Sequence, residues 1–123
     1  MTKILVVDDE EAIRNSVAEI LEYEGFEVMQ AENGQVALRL IETHPFDLML
    51  IDLIMPVTEG IETIRVVHRK MPDFRIIAMS GGGRVSADNY LQIAAQFGAC
   101  ATLAKPFDRA QILAVVQQTL GRS

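Results

Sequence analysis

Four consecutive acids, Asp8, Asp9, Glu10 and Glu11, follow the apolar run ILVV at 4–7. Like charges this close repel, so either water or a cation must offset them. Three more short apolar runs end in a chemically capable group. Asp52 follows LMLI at 48–51, Ser80 and three glycines follow RIIAM at 75–79, and Lys105 follows CATLA at 100–104. Clustered carboxylates suit a hard divalent cation, magnesium being the ordinary choice, with waters and a phosphate completing its octahedron. A carboxylate can also act as a nucleophile and carry a phosphoryl group. Phosphoryl transfer asks mainly for charge neutralisation. A lysine supplies a point charge for a phosphoryl oxygen, and a serine hydroxyl a hydrogen bond.

Those groups work together only if the elements behind them converge. The apolar runs, with FEVMQA at 26–31 as a fifth, are four to six residues long, the pattern of strands buried on both faces of a parallel sheet. Between them lie helical stripes. Ile13, Val17, Ile20 and Leu21 form the first, closed by Gly25. Val36, Ala37, Leu40 and Ile41 form the second, after an Asn33 cap. Ile61, Ile64 and His68 mark the third. Ala87, Leu91, Ala94 and Ala95 mark the fourth, ended by Gly98. Ile112, Val115, Val116 and Leu120 mark the fifth, with Asp108 as its cap.

Five βα repeats with right-handed crossovers predict an α/β, flavodoxin-like (βα)5 three-layer sandwich with a parallel sheet in the order 2-1-3-4-5. Ligands in such folds bind beyond the carboxyl ends of the strands, near the switch point. Strands 1 and 3 are neighbours in this order, so Asp8, Asp9 and Asp52 are expected to meet there, flanked by Ser80 and Lys105.

Composition narrows the function classes. The 123 residues suffice for one core, and half of them are hydrophobic, which excludes a disordered chain. A net charge of −6 argues against direct nucleic-acid binding. No apolar run approaches a membrane span. A single cysteine, Cys100, excludes an internal disulfide, and the absence of a visible signal peptide points to the cytoplasm. GGGR at 81–84 lacks the GK[ST] of a phosphate-binding loop, and the acids after strand 1 would repel a flavin phosphate.

VVDDE at 6–10, DLMLIDLIMPVTEG at 47–60, MSG at 79–81 and LAKPF at 103–107, in that order and each at an apolar run, resemble the receiver domain of bacterial two-component response regulators. The resemblance covers essentially residues 1–123 as one receiver domain with no output domain. It implies that Asp52 is the phosphoacceptor. It further implies that Asp8, Asp9, Asp52 and the backbone carbonyl of Ile54 hold Mg2+, Asp9 most directly, and that Lys105 precedes a cis bond to Pro106. The Ser80 hydroxyl is implied to turn toward the phosphoryl group. The implied partners are a sensor histidine kinase or a histidine phosphotransfer protein, and a downstream protein reached through helix 4, strand 5 and helix 5, about 86–119. A monomer, or a weak phosphorylation-dependent dimer, is implied. The competing reading is a pseudo-receiver, an interaction module never phosphorylated.

Three positions depart from the family. Thr102 stands where receivers often carry an aromatic switch residue. The segment SGGGRVSADNY is longer than usual and predicts a loop that orders on phosphorylation. Ile54 and Gly82 replace polar side chains that steer water, which implies slow self-hydrolysis. Glu10 and Glu11 are expected in the first helical turn, where the dipole favours negative charge. Asp47 reads as a strand-entry turn residue. His44 and His68 read as partly exposed helix-face or helix-end residues without metal-ligand spacing, and Cys100 reads as a small buried core residue.

Overall fold

A computed structural model describes residues 2–53, 57–81, 92 and 94–121, with the backbone alone for 57–59 and 81. Strands β1 (Lys3–Val7), β2 (Glu27–Ala31), β3 (Leu48–Asp52), β4 (Arg75–Gly81) and β5 (Ala101–Lys105) form one parallel sheet in the order β2-β1-β3-β4-β5. The helices are α1 (Glu11–Tyr23), α2 (Gly34–Thr43), α3 (Val57–Lys70) and α5 (Arg109–Thr119). Between β4 and β5 lies α4, whose described helical residues are 92 and 94–97. Order, direction and layering are those the apolar runs predict.

Strand side chains alternate between faces, and here both faces are covered. Ile4, Val6, Leu48, Leu50, Ile77, Met79 and Leu103 pack with Val17 and Leu21 of α1 and Ile112 and Val116 of α5. The alternate row, Leu5, Val7, Met49, Ile51, Ile76 and Ala78, packs with Ala37 of α2, Ile64 and Val67 of α3 and Ala94 of α4. This two-sided burial is why β1 and β3 read as unbroken apolar runs. The edge strand β2 is different: Glu27 and Gln30 are exposed and only Ala31 is buried.

Local signals set the helix ends. Asn33 Oδ1 accepts from Val36 N–H at 2.9 Å and starts α2. Asp108 and Gln111 form a reciprocal capping box at α5, with bonds of 2.8 and 2.9 Å. Such caps contribute about 1 kcal/mol each. Asp47 ties the start of β3 to β1: its Oδ2 accepts from Lys3 N–H at 2.9 Å, and its N–H donates to Lys3 O at 2.8 Å.

Four local expectations are corrected. Glu10 is the N-cap of α1 with extended backbone, so only Glu11 lies in the first turn. Val67, not His68, continues the buried stripe of Ile64 on α3, while His68 is an exposed helix-face residue as its type suggests. Ala95 on α4 is exposed, while Ala94 is buried. Cys100 is exposed. It precedes β5 at the sheet edge, where its Sγ accepts from Ile76 N–H at 3.3 Å and donates to Ile76 O at 3.4 Å. Ala87, Leu91 and the loop expected after Gly81 lie outside the described residues.

Gly98 ends α4 with φ +129°, and a Cβ built there would lie 2.6 Å from His68 Cβ. That atom is fixed to the α3 backbone and cannot swing aside. Gly98→Ala therefore meets both backbone strain and a clash, and should lower stability by more than about 1 kcal/mol in a urea titration.

Candidate functional site

The two-residue strand period places three predicted residues on one row. Asp8 continues Ile4 and Val6 just past β1, Asp52 continues Leu48 and Leu50 at the end of β3, and Lys105 continues Leu103 at the end of β5. All three arrive at the carboxyl edge on the α1/α5 side. There the Lys105 ammonium lies 3.1 Å from Asp8 Oδ2 and 3.2 Å from Asp52 Oδ2. Both carboxylates are fully buried, and the Lys105 side chain is 13% exposed. The Lys105–Pro106 bond is cis, as the resemblance implies.

Burial is the largest single influence on Lys105 and works to lower its pKa. The charges of Asp52 and then Asp8, with hydrogen bonds to both, together outweigh burial and hold the ammonium above its ordinary value of 10.5. Lys105 is thus fully charged at neutral pH. Among the described residues, one positive charge thus faces two buried carboxylates.

The β1–α1 turn adds more. Asp8 Oδ1 accepts from Glu10 N–H at 2.9 Å, an Asx-type turn that keeps Glu10 extended and delays the helix to Glu11. This turn gathers one carboxylate oxygen from each of Asp8, Asp9 and Glu10 within 4.8 Å of one another. Asp9 and Glu10 are exposed. The donor set consists of hard oxygens carrying surplus negative charge, and it fits a hard divalent cation of the magnesium type.

Ser80 is buried at the end of β4, one residue past Met79, the register partner of Asp52. It falls on the row of Ile76 and Ala78, opposite to the Asp8–Asp52–Lys105 row. Among the described residues no hydrogen bond joins it to that trio. Ile54 lies outside the described residues. Thr102 is exposed on β5, beside Ala78 in register.

Three features escape the sequence reading. Glu10 joins the acid cluster as well as starting α1. Arg14, on α1, donates from Nη1 to Asp8 O at 2.8 Å. Its only sequence signal is a basic residue a turn beyond Glu10. Gly60 brings α3 against the end of β3: a Cβ there would lie 3.2 Å from Asp52 O and 3.3 Å from Leu53 Cα. A side chain at position 60 would press on the backbone that carries Asp52.

A buried acid pair at the carboxyl edge of a 2-1-3-4-5 sheet, bridged by a lysine before a cis proline, is the arrangement expected of a receiver. The family model for the response regulator receiver domain matches residues 4–117. The chain is 35% identical over 123 residues to the transcriptional regulatory protein CpxR of Escherichia coli (strain K12), covering 100% of this chain and 51% of that protein. It is 34% identical over 118 residues to sporulation initiation phosphotransferase F of Bacillus subtilis (strain 168), covering 96% of this chain and 93% of that one. The crystal structure of a CheY-like response regulator receiver domain protein from Methanospirillum hungatei JF-1 matches with a TM-score of 0.88 at 31% identity, over 98% of this chain and 94% of that one. The chain spans about half the length of its CpxR relatives. This chain belongs to the response regulator receiver domain family, a family of signalling switches in two-component systems. Among the described residues no helix is long and apolar enough to cross a membrane.

The trio has consequences for stability. Lys105→Met leaves two buried carboxylates without their shared cation and should cost about 3 kcal/mol or more in urea unfolding at pH 7. Asp52→Asn keeps the Asp8–Lys105 pair, removes the surplus charge, and should unfold within about 1 kcal/mol of wild type. Because the folded pKa of Lys105 lies above its unfolded value of 10.5, its contribution is fully present below pH 10.5. It is lost as pH rises through the folded value. The stability gap between wild type and Lys105→Met should stay flat from neutral pH to about 10 and close above 10.5.

Proposed function

We propose that this protein is a phospho-accepting switch in which Asp52 takes a phosphoryl group from a phosphohistidine on a sensor histidine kinase or a histidine phosphotransfer protein. The observation that carries this reading is the single Lys105 ammonium held at 3.1 and 3.2 Å between two fully buried carboxylates. Burying two like charges is costly, and a purely structural site has no use for the surplus.

The chemistry follows from that charge arrangement. The Asp52 carboxylate attacks phosphorus, a new O–P bond forms, the donor's N–P bond breaks, and the departing imidazole is left to take up a proton. Lys105 is already charged and needs no proton transfer to bind a phosphoryl oxygen. Asp8, Asp9 and Asp52, with the Ile54 carbonyl, hold magnesium in this reading, and the donor cluster extends it to Glu10. When bound, the metal supplies positive charge for the phosphoryl oxygens. Ser80, buried one residue beyond the level of Asp52 on the opposite row, turns its hydroxyl toward the phosphoryl group in the phosphorylated form.

Phosphorylation replaces a single negative charge by a more highly charged group with more acceptor oxygens. The Lys105 ammonium is then drawn from its shared position toward the phosphoryl group, and β5 and the neighbouring helices move between two pre-existing arrangements. The surface of α4, β5 and α5 presents that change to a downstream protein. Thr102, exposed on β5, stands at the position where many receivers carry an aromatic switch residue. The reaction belongs in the cytoplasm, where such kinases present their phosphohistidine.

Intact-mass measurement after incubation with acetyl phosphate tests the reading. The expected result is gain of one phosphoryl group that requires magnesium and is absent from Asp52→Asn. A chain that gains none from acetyl phosphate or a phosphorylated histidine donor, and that binds no magnesium, is an interaction module instead.

A further inference from the structure

Asp8 is bonded at every polar atom. Its N–H donates to Ala31 O at 3.2 Å, its Oδ1 accepts from Glu10 N–H at 2.9 Å, and its Oδ2 faces Lys105 Nζ at 3.1 Å. The fourth atom, its carbonyl oxygen, accepts from Arg14 Nη1 at 2.8 Å. Arg14 is itself anchored. Its Nε donates to Gln30 Oε1 at 3.3 Å, and its backbone N–H donates to Glu10 O at 3.0 Å. One guanidinium therefore joins α1, the β1–α1 turn and the end of β2.

The carbonyl of Asp8 shares a rigid peptide plane with the N–H of Asp9. Fixing that oxygen fixes the plane, and with it the direction in which the Asp9 backbone leaves. The flat guanidinium donates along set directions, which a lysine ammonium on a flexible stem does not. Asp9 is exposed, so its orientation depends on the turn that carries it.

We propose that Arg14 is a positioning residue for the acidic pocket: by pinning the Asp8 carbonyl and bracing against Gln30, it sets the directions in which Asp8, Asp9 and Glu10 present oxygens to a divalent cation. The proposal rests on the reading of this cluster as a magnesium site. It also makes a prediction opposite to that of simple charge. A guanidinium beside a cation site repels the cation, so charge alone says that removing Arg14 tightens magnesium binding. Positioning says that removal weakens it.

Calorimetric titration of the full chain with magnesium chloride separates the two, using wild type, Arg14→Met, Arg14→Lys and Gln30→Ala, with a thermal melt of each in the absence of magnesium. Arg14→Met should lose about tenfold in magnesium affinity, the scale seen when a group that orients metal ligands is removed. Arg14→Lys should lose nearly as much despite keeping the charge, while melting close to wild type. Gln30→Ala, an exposed position that leaves the Asp8 contact intact, should lose about threefold or less. Unchanged or tighter binding by Arg14→Met, or full rescue by lysine, overturns the proposal and leaves the function of the site standing. If Arg14→Met fails to fold, Arg14→Lys and Gln30→Ala decide between the two accounts. Failure of the wild type itself to bind magnesium overturns both the site reading and this one.

Discussion

The structure is organised around one ammonium shared by two buried carboxylates. Asp8 and Asp52 come from sequence positions far apart, and the sheet order brings their strands side by side. Neither carboxylate is tolerable alone when fully buried. Lys105 reaches them from the end of β5, beyond β4 in the sheet. Its charge holds the edge together without neutralising it completely. The fold thus gives up stability at one end and recovers it from the two apolar layers behind.

Those layers explain what the sequence discloses. ILVV and LMLI run without interruption because β1 and β3 are covered on both faces, so strand position and sheet order follow from apolar content and spacing. Asn33 and Asp108 are legible because their caps act within three residues. Asp8, Asp52 and Lys105 are legible because each marks the end of a buried run. What fails is what depends on contacts between distant segments. His68 has helical spacing with Ile61 and Ile64 but lies against Gly98 rather than in the core, and Val67 is buried instead. Cys100 has the composition of a core residue, yet the sheet edge leaves it outside. Arg14 carries no motif, because its partner is a backbone carbonyl, which is invisible in side-chain patterns.

The β1–α1 turn shows how the same four acids divide their tasks. Asp8 is buried and fully bonded, whereas Asp9 and Glu10 are exposed. Glu11 lies in the first helical turn, where backbone N–H groups favour its charge. The mutual repulsion is therefore met by Lys105, by Arg14 and by the helix terminus. Gly60 completes the support from the other side by letting α3 lie against the carbonyl of Asp52.

The chain carries a single thiol, and it is exposed immediately before β5 begins. Lys105 closes the same strand at its other end, five residues further on and roughly 17 Å away along an extended backbone. Nature has thereby left a unique chemical handle at the pole of the molecule opposite its charged centre. A fluorophore coupled there would ride on the very strand whose far end holds the shared ammonium, and could act as an optical reporter of that strand without occupying the pocket.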